Sequence, residues 1–456
     1  MDNKGIIMTK GPILVPLIRF ILPLIGTSLF QQLYNTVDFL FVGNVLNKTS
    51  AAAVGASSTL VVCCIGLFSG IAVGTSVVMS QRIGSKDLES ASKVMHSSIT
   101  FGLIGGLIFT VLGIVLAPSI LAVLNTPQST MPEAVLYVRI YFLSLPMLVF
   151  YNICAGSLNA MGNSKASFKV LATCGFVNVA ADAVLLILIP LGVLGVALAT
   201  AVSQGLSATL IARELNKSTN VVSISFKKLG IDFGMLKKVL RIGLPAGIQT
   251  IIITFSNIIV QYYINAFGEI AVAAFATYFK VETFMYLPIL AFGQAATTFS
   301  GQNTGAGQYK RIRKGTIITA IIATLTVLTI AVFTLAFSEG VFGLFMKDKE
   351  VVSNAVKLAF VTFPFYWIYP LMEVSGAALR GMGYSISSMV IVISNLCVIR
   401  ILLLMFFSKQ IGTLPSLATV YPLSWAGGAI CFVVLFFIVI NKKIRKSEIQ
   451  SVEIFA

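Results

Sequence analysis

Four carboxylates stand inside apolar stretches of this chain. Asp38 falls in LYNTVDFLFVG, Asp182 in CGFVNVAADAVLLIL, Glu282 in YFKVETFMYLPIL and Glu373 in YPLMEVSGAALRG. A charge at mid-bilayer costs at least ~2.5–3.5 kcal/mol on insertion scales, so an intramembrane acid marks ion or substrate handling. Asn178 precedes Asp182 by four residues and shares its helix face. At ~1.5 Å of rise per residue, Asp38, Asp182, Thr200 and Tyr137 fall at similar depth, in the half of the bilayer away from the basic loops. Two carboxylates, an amide oxygen and hydroxyls are hard ligands that suit Na⁺. If one carboxylate holds a proton, the pair stores H⁺ instead, because neighbouring like charges resist ionising together. This chemistry points to an ion-coupled carrier rather than a passive scaffold.

The elements that carry these residues are membrane spans. Of 456 residues 57% are hydrophobic and 11% charged, against roughly 25% charged in a soluble domain. Spans are expected near 16–43, 51–80, 94–118, 134–160, 167–190, 192–212, 240–267, 271–300, 315–338, 353–379, 385–408 and 421–441, an all-α polytopic protein of twelve helices. The polar start, MDNKGIIMTKGP, and the long stretch after it read as a retained first span, not a cleaved signal.

The formal charge is +16. It suggests nucleic acid, but the basic residues sit between spans, where topology and lipid headgroups account for them; no nucleic-acid partner is expected. Arg82, Lys86, Lys93, Lys165, Lys169, the 213–241 loop, Lys310 to Lys314 and Arg380 fall in one set of loops, with both termini. The alternate loops hold only Lys48, Lys347, Lys349 and Lys409. The positive-inside rule then makes both termini cytoplasmic, in a plasma (inner) membrane protein. The six cysteines, Cys63, Cys64, Cys154, Cys174, Cys397 and Cys431, lie in apolar stretches without ligand spacing and read as small buried hydrophobes. The single histidine, His96, stands in the polar entry to the third span without partners in sequence.

The chain repeats itself. AVGTSVVMSQRIG (72–84) aligns with GQAATTFSGQNTG (293–305), and LNAMGNS (158–164) with LRGMGYS (379–385), at one offset. Pro23 pairs with Pro245 and Pro146 with Pro364. Two parallel six-helix lobes follow: residues 1–212, a loop 213–239, and residues 240–456, with a central cleft and alternating access. Pro23, Pro245, Pro288, Pro364 and Pro370 are expected to bend their spans, Pro23 on the helix of Asp38. In the second half Glu282 and Glu373 are candidates for attracting a cationic substrate, joined by Gln31 and Tyr34 on the first span. Arg400 is a candidate partner for Glu373, whereas Lys280 cannot face Glu282 two residues away.

With these residues in view the chain resembles the multidrug and toxic compound extrusion (MATE) family. The resemblance rests on Pro23, QQLYNTVDFLFVGN (31–44), the LNAMGNS and LRGMGYS pair, and FSGQNTGAGQ (299–308). It implies a twelve-helix, two-lobe antiporter that exports amphipathic, often cationic compounds against inward H⁺ or Na⁺. It also implies a cation site of Asp38, Asn178, Asp182, Thr200 and Tyr137, with Tyr141 one turn from the last. No cofactor beyond the coupling ion is expected, and a monomer embedded in lipid is. The alternative is a lipid or lipid-linked oligosaccharide flippase. No nucleophile–base pair, metal motif or phosphate loop marks an enzyme.

Overall fold

The computed structural model describes residues 5–46, 48–217, 221–410 and 413–455. The side chains of Cys63, Lys48 and Lys409 lie outside the described residues. The described residues are helical with no strand. In order they form α1 (Leu14–Val45), α2 (Lys48–Gly84), α3 (Leu88–Val123), α4 (Met131–Ala160), α5 (Ser164–Ala183), α6 (Val193–Leu215), α7 (Phe233–Asn265), α8 (Glu269–Gly305), α9 (Tyr309–Ala336), α10 (Ser338–Gly343), α11 (Lys349–Thr362), α12 (Ile368–Gly381), α13 (Ser385–Val392), α14 (Arg400–Gln410), α15 (Leu414–Ala418) and α16 (Val420–Phe455). Among the described residues 11 helices are long and apolar enough to cross a membrane, and 12 spans result when Lys349–Phe365 and Ile368–Gly381 count as one span bent by 54°. That bend falls where Pro364 and Pro370 remove backbone donors. Several helices outrun the bilayer: α3 has 36 residues, or ~54 Å against a hydrocarbon core of ~30 Å.

Contacts divide the chain into two compact units, 22–247 with residues 1–7, and 248–456 with residues 8–21. In α1 the change falls beside Pro23, whose carbonyl accepts from Thr27 Oγ1 at 2.9 Å.

The first unit is built on α4, packed against α2, α3 and α6. Close approach is set by small residues. A Cβ on Gly70 would lie 2.5 Å from the carbonyl oxygen of Gly243 and 2.5 Å from the amide of Gly247; one on Gly74 would lie 2.9 Å from the Gly243 amide. Two small-xxx-small faces therefore bring the backbones of α2 and α7 into direct contact, as membrane helices do where dispersion must replace the hydrophobic effect. Thr110 on α3 donates both to Gly106 O within its helix at 2.8 Å and to Phe142 O of α4 at 2.7 Å.

The loop after α6 is pinned to α3. His96 Nδ1–H donates to Ser92 O at 2.8 Å, leaving Nε2 to accept from the Ser225 amide at 3.0 Å. Thr100 Oγ1 and Ser97 Oγ accept from the amides of Gly230 and Asp232 at 3.1 and 2.9 Å. Val222 and Ile224 are buried in the same core. His96 thus positions a loop.

In the second unit α12 packs on α8, α9 and α16. Trp425 of α16 meets Tyr366 and Tyr369 edge-on, with ring centroids 4.8 and 5.5 Å apart. The sequence repeat is visible in the backbone. Gly162 and Gly383, equivalent in LNAMGNS and LRGMGYS, both have left-handed φ, 78° and 94°. Each ends a helix, where a residue without Cβ turns the chain at least cost.

Gly70→Leu is expected to prevent the α2–α7 approach, because backbone atoms cannot move aside as a side chain can. Purified protein should lose thermal stability beyond the ~1–3 kcal/mol of ordinary overpacking. A melting temperature equal to wild type would contradict the backbone contact.

Candidate functional site

The site in the first unit starts with how α1 meets α5. Phe30 packs edge-on to Phe168 and Phe176, at 6.1 and 5.1 Å between centroids. One turn further on, Gly175 leaves room for Tyr34; a Cβ there would touch the Tyr34 ring at 3.4 Å. One more turn brings Asp38 of α1 against Asp182 of α5, within side-chain hydrogen-bonding reach. Asp182 is fully buried and Asn178 nearly so. With both acids ionised neither can donate, and Asp38 Oδ1 and both Asp182 oxygens have no hydrogen-bond partner among the described residues. Buried polar atoms are almost always paired, so three such oxygens in one place need an explanation. A cation, or a proton on one acid that donates to the other, would satisfy them.

Tyr137 of α4 is the tyrosine that faces both Asp38 and Asp182. Tyr141 stacks on it at 6.4 Å and turns toward Tyr34 and Cys64. Tyr34 adjoins Asp38 as well; its four-residue spacing from Asp38 carries that signal in the sequence. Gln31 hydrogen-bonds Tyr34 and is exposed.

An apolar layer caps the acids. Val42, Leu186 and Val196 pack together with Tyr137 and Val193. Val42 lies one turn beyond Asp38, Leu186 one turn beyond Asp182, and Val196 one turn before Thr200. Thr200, half-buried on α6, therefore stands at the level of the acids. After Asp182 the helix widens into a π segment, Val184–Leu188, a local distortion frequent at functional sites.

The acids of the second unit are partnered. Glu373 pairs with Arg380 at 2.5 Å, both side chains mostly buried. The pairing with Arg400 anticipated from sequence is not formed; Arg380, two turns along the same helix, is the nearer cation. Glu282 accepts from Tyr366 Oη at 3.2 Å. Arg400 lies near Glu282, donates to Ser424 Oγ at 3.3 Å and sits over the Tyr421 ring at 5.0 Å from its centroid. Lys280 is exposed.

Two stretches of the chain, residues 23–184 and 245–406, match the MatE family model. The chain belongs to the multidrug and toxic compound extrusion family. The matched stretches begin at Pro23 and Pro245, the prolines paired by the internal repeat. The chain is 28% identical over 377 residues to a probable multidrug resistance protein, YoeA of Bacillus subtilis, covering 80% of each. It is 26% identical over 364 residues to the multidrug export protein MepA of Staphylococcus aureus, covering 79% of this chain and 80% of that one. A multidrug resistance MATE transporter solved in an outward-facing conformation superposes with a TM-score of 0.92 at 23% identity, over 98% of this chain and 100% of that one. A MATE structure in the straight conformation superposes with a TM-score of 0.91, also at 23% identity and over the same shares of the two chains. These structures share the fold, a polytopic helical membrane protein in two repeated halves.

Two variants test the electrostatics. Asp182→Asn should raise the melting temperature of purified protein in Na⁺-free buffer, since a buried group without a partner costs about 1–3 kcal/mol. A lower melting temperature would show that the carboxylate is already paired. In the second unit, Arg380→Gln should destabilise by up to about 3–5 kcal/mol, and adding Glu373→Gln should restore most of the loss. No recovery in the double variant would mean that Arg380 acts through packing alone.

Proposed function

We propose that the protein is a secondary antiporter that exports amphipathic organic cations in exchange for H⁺ or Na⁺. The observation that carries this reading is the Asp38–Asp182 pair, whose buried oxygens lack donors. An apolar bundle retains such a pair when it binds and releases a cation during the cycle. Asn178, Thr200 and Tyr137 complete the coordination shell, and the layer of Val42, Leu186 and Val196 closes it on one side. The multidrug export function in the names of the Bacillus and Staphylococcus relatives supports a drug-like substrate class.

The basic loops orient both termini to the cytoplasm, so the acids lie toward the outer face of the plasma membrane. Residues 1–212 and 240–456 act as two lobes joined by the 213–239 loop, alternating access by a rocking motion. Pro23, which removes a backbone donor inside α1, is the point through which the position of Asp38 is coupled to that motion. Glu282, Glu373, Gln31 and Tyr34 are the polar side chains assigned to the substrate path. A monomer suffices, since one chain holds both lobes.

The test is ethidium flux in proteoliposomes holding purified protein, with a pH gradient and a Na⁺ gradient imposed separately. Wild type should respond to one gradient, which names the ion, and Asp38→Asn should fall to the protein-free rate. Gradient-driven flux that survives in Asp38→Asn, with the protein folded, would sink the assignment of the coupling site.

A further inference from the structure

The first unit has a groove of about 560 Å³ away from the carboxylates, between α3, α4 and α6. Its walls are Leu103, Met147, Phe150 and Ala208, and its mouth is Arg213, Asn216 and Phe226. We propose that this groove binds one anionic phospholipid, with the phosphodiester held by Arg213 and Asn216 and an acyl chain lying along the apolar wall.

Three observations carry the proposal. The first is charge. Arg213 is exposed and makes no hydrogen bond or ion pair among the described residues. The neighbouring acid, Glu214, is taken by Lys217 at 2.6 Å. Lys227 and Lys228, exposed in the 3₁₀ turn that Phe226 opens, add positive charge beside the mouth. An amphipathic cation would be repelled here, while an anionic headgroup is attracted.

The second is shape. The apolar wall continues outside the groove along the same helix faces. Leu107, one turn from Leu103, is 57% exposed, and Leu143, one turn from Met147, is 60% exposed. A fatty chain that enters the groove therefore has a continuous strip to follow into the bilayer.

The third is preorganisation. The bonds from His96, Thr100 and Ser97 to the amides of Ser225, Gly230 and Asp232 fix the loop on both sides of Phe226. Phe226 is 72% exposed at the mouth, a position in which an aromatic ring suits the headgroup region. The site takes from the function proposed above only that the basic helix ends face the cytoplasmic leaflet, whose anionic lipids attract basic segments.

The test uses full-length protein equilibrated in detergent with equimolar dioleoylphosphatidylglycerol and dioleoylphosphatidylcholine, with retained lipids counted by native mass spectrometry. Wild type should retain phosphatidylglycerol in preference. Arg213→Ala should cut that preference about fivefold, the effect of one basic side chain near an anionic headgroup. Thr209→Phe fills the groove without changing charge, and should cut retention as well, which separates a groove from a merely basic surface. The proposal is overturned by the absence of a preference in wild type, by a preference unchanged in either variant, or by displacement with millimolar inorganic phosphate. The readout needs no transport, so its failure is distinct from failure of the antiporter reading.

Discussion

The constraint that organises this protein is the placing of two neighbouring carboxylates within apolar helices, one of them fully buried. Asp182 has no exposed surface and neither of its oxygens has a donor among the described residues. Such a pair is stable only while something shares its charge, whether a proton or a metal cation. The features around it follow from that need. Asn178 adds a neutral oxygen on the same face, Tyr137 and Thr200 bring hydroxyls to the same level, and an apolar layer packs one turn away.

The second unit repeats the fold without repeating this electrostatics. Glu373 is neutralised by Arg380 and Glu282 is hydrogen-bonded by Tyr366 near Arg400. Removing one partner of such a buried pair is costly because it strands the other charge. The backbone symmetry, seen in the left-handed Gly162 and Gly383, therefore coexists with different charge pairing in the two halves.

Small residues make these placements achievable in lipid. Without a hydrophobic force between helices, association depends on contact and on interhelical hydrogen bonds. Gly70 and Gly74 on α2 meet Gly243 and Gly247 on α7, and Thr110 ties α3 to α4. The same economy fixes the loop after α6, where three side chains of α3 capture three backbone amides that would otherwise be left at the membrane surface.

Much of this was legible in the sequence. Hydropathy located the spans, since apolar stretches of bilayer length have few alternatives. The paired prolines and glycine motifs exposed the repeat, and the four-residue spacing of Asn178 and Asp182 put both on one face because a helix has a fixed period. Which charges remain unpaired was decided only by the tertiary structure. Arg380 rather than Arg400 meets Glu373, Tyr137 rather than Tyr141 faces the acids, and His96 holds a loop far along the chain. Helical period orders residues along one helix, but the rotation of each helix against its neighbours comes from side-chain packing, which a single chain read in one dimension does not encode in any local pattern.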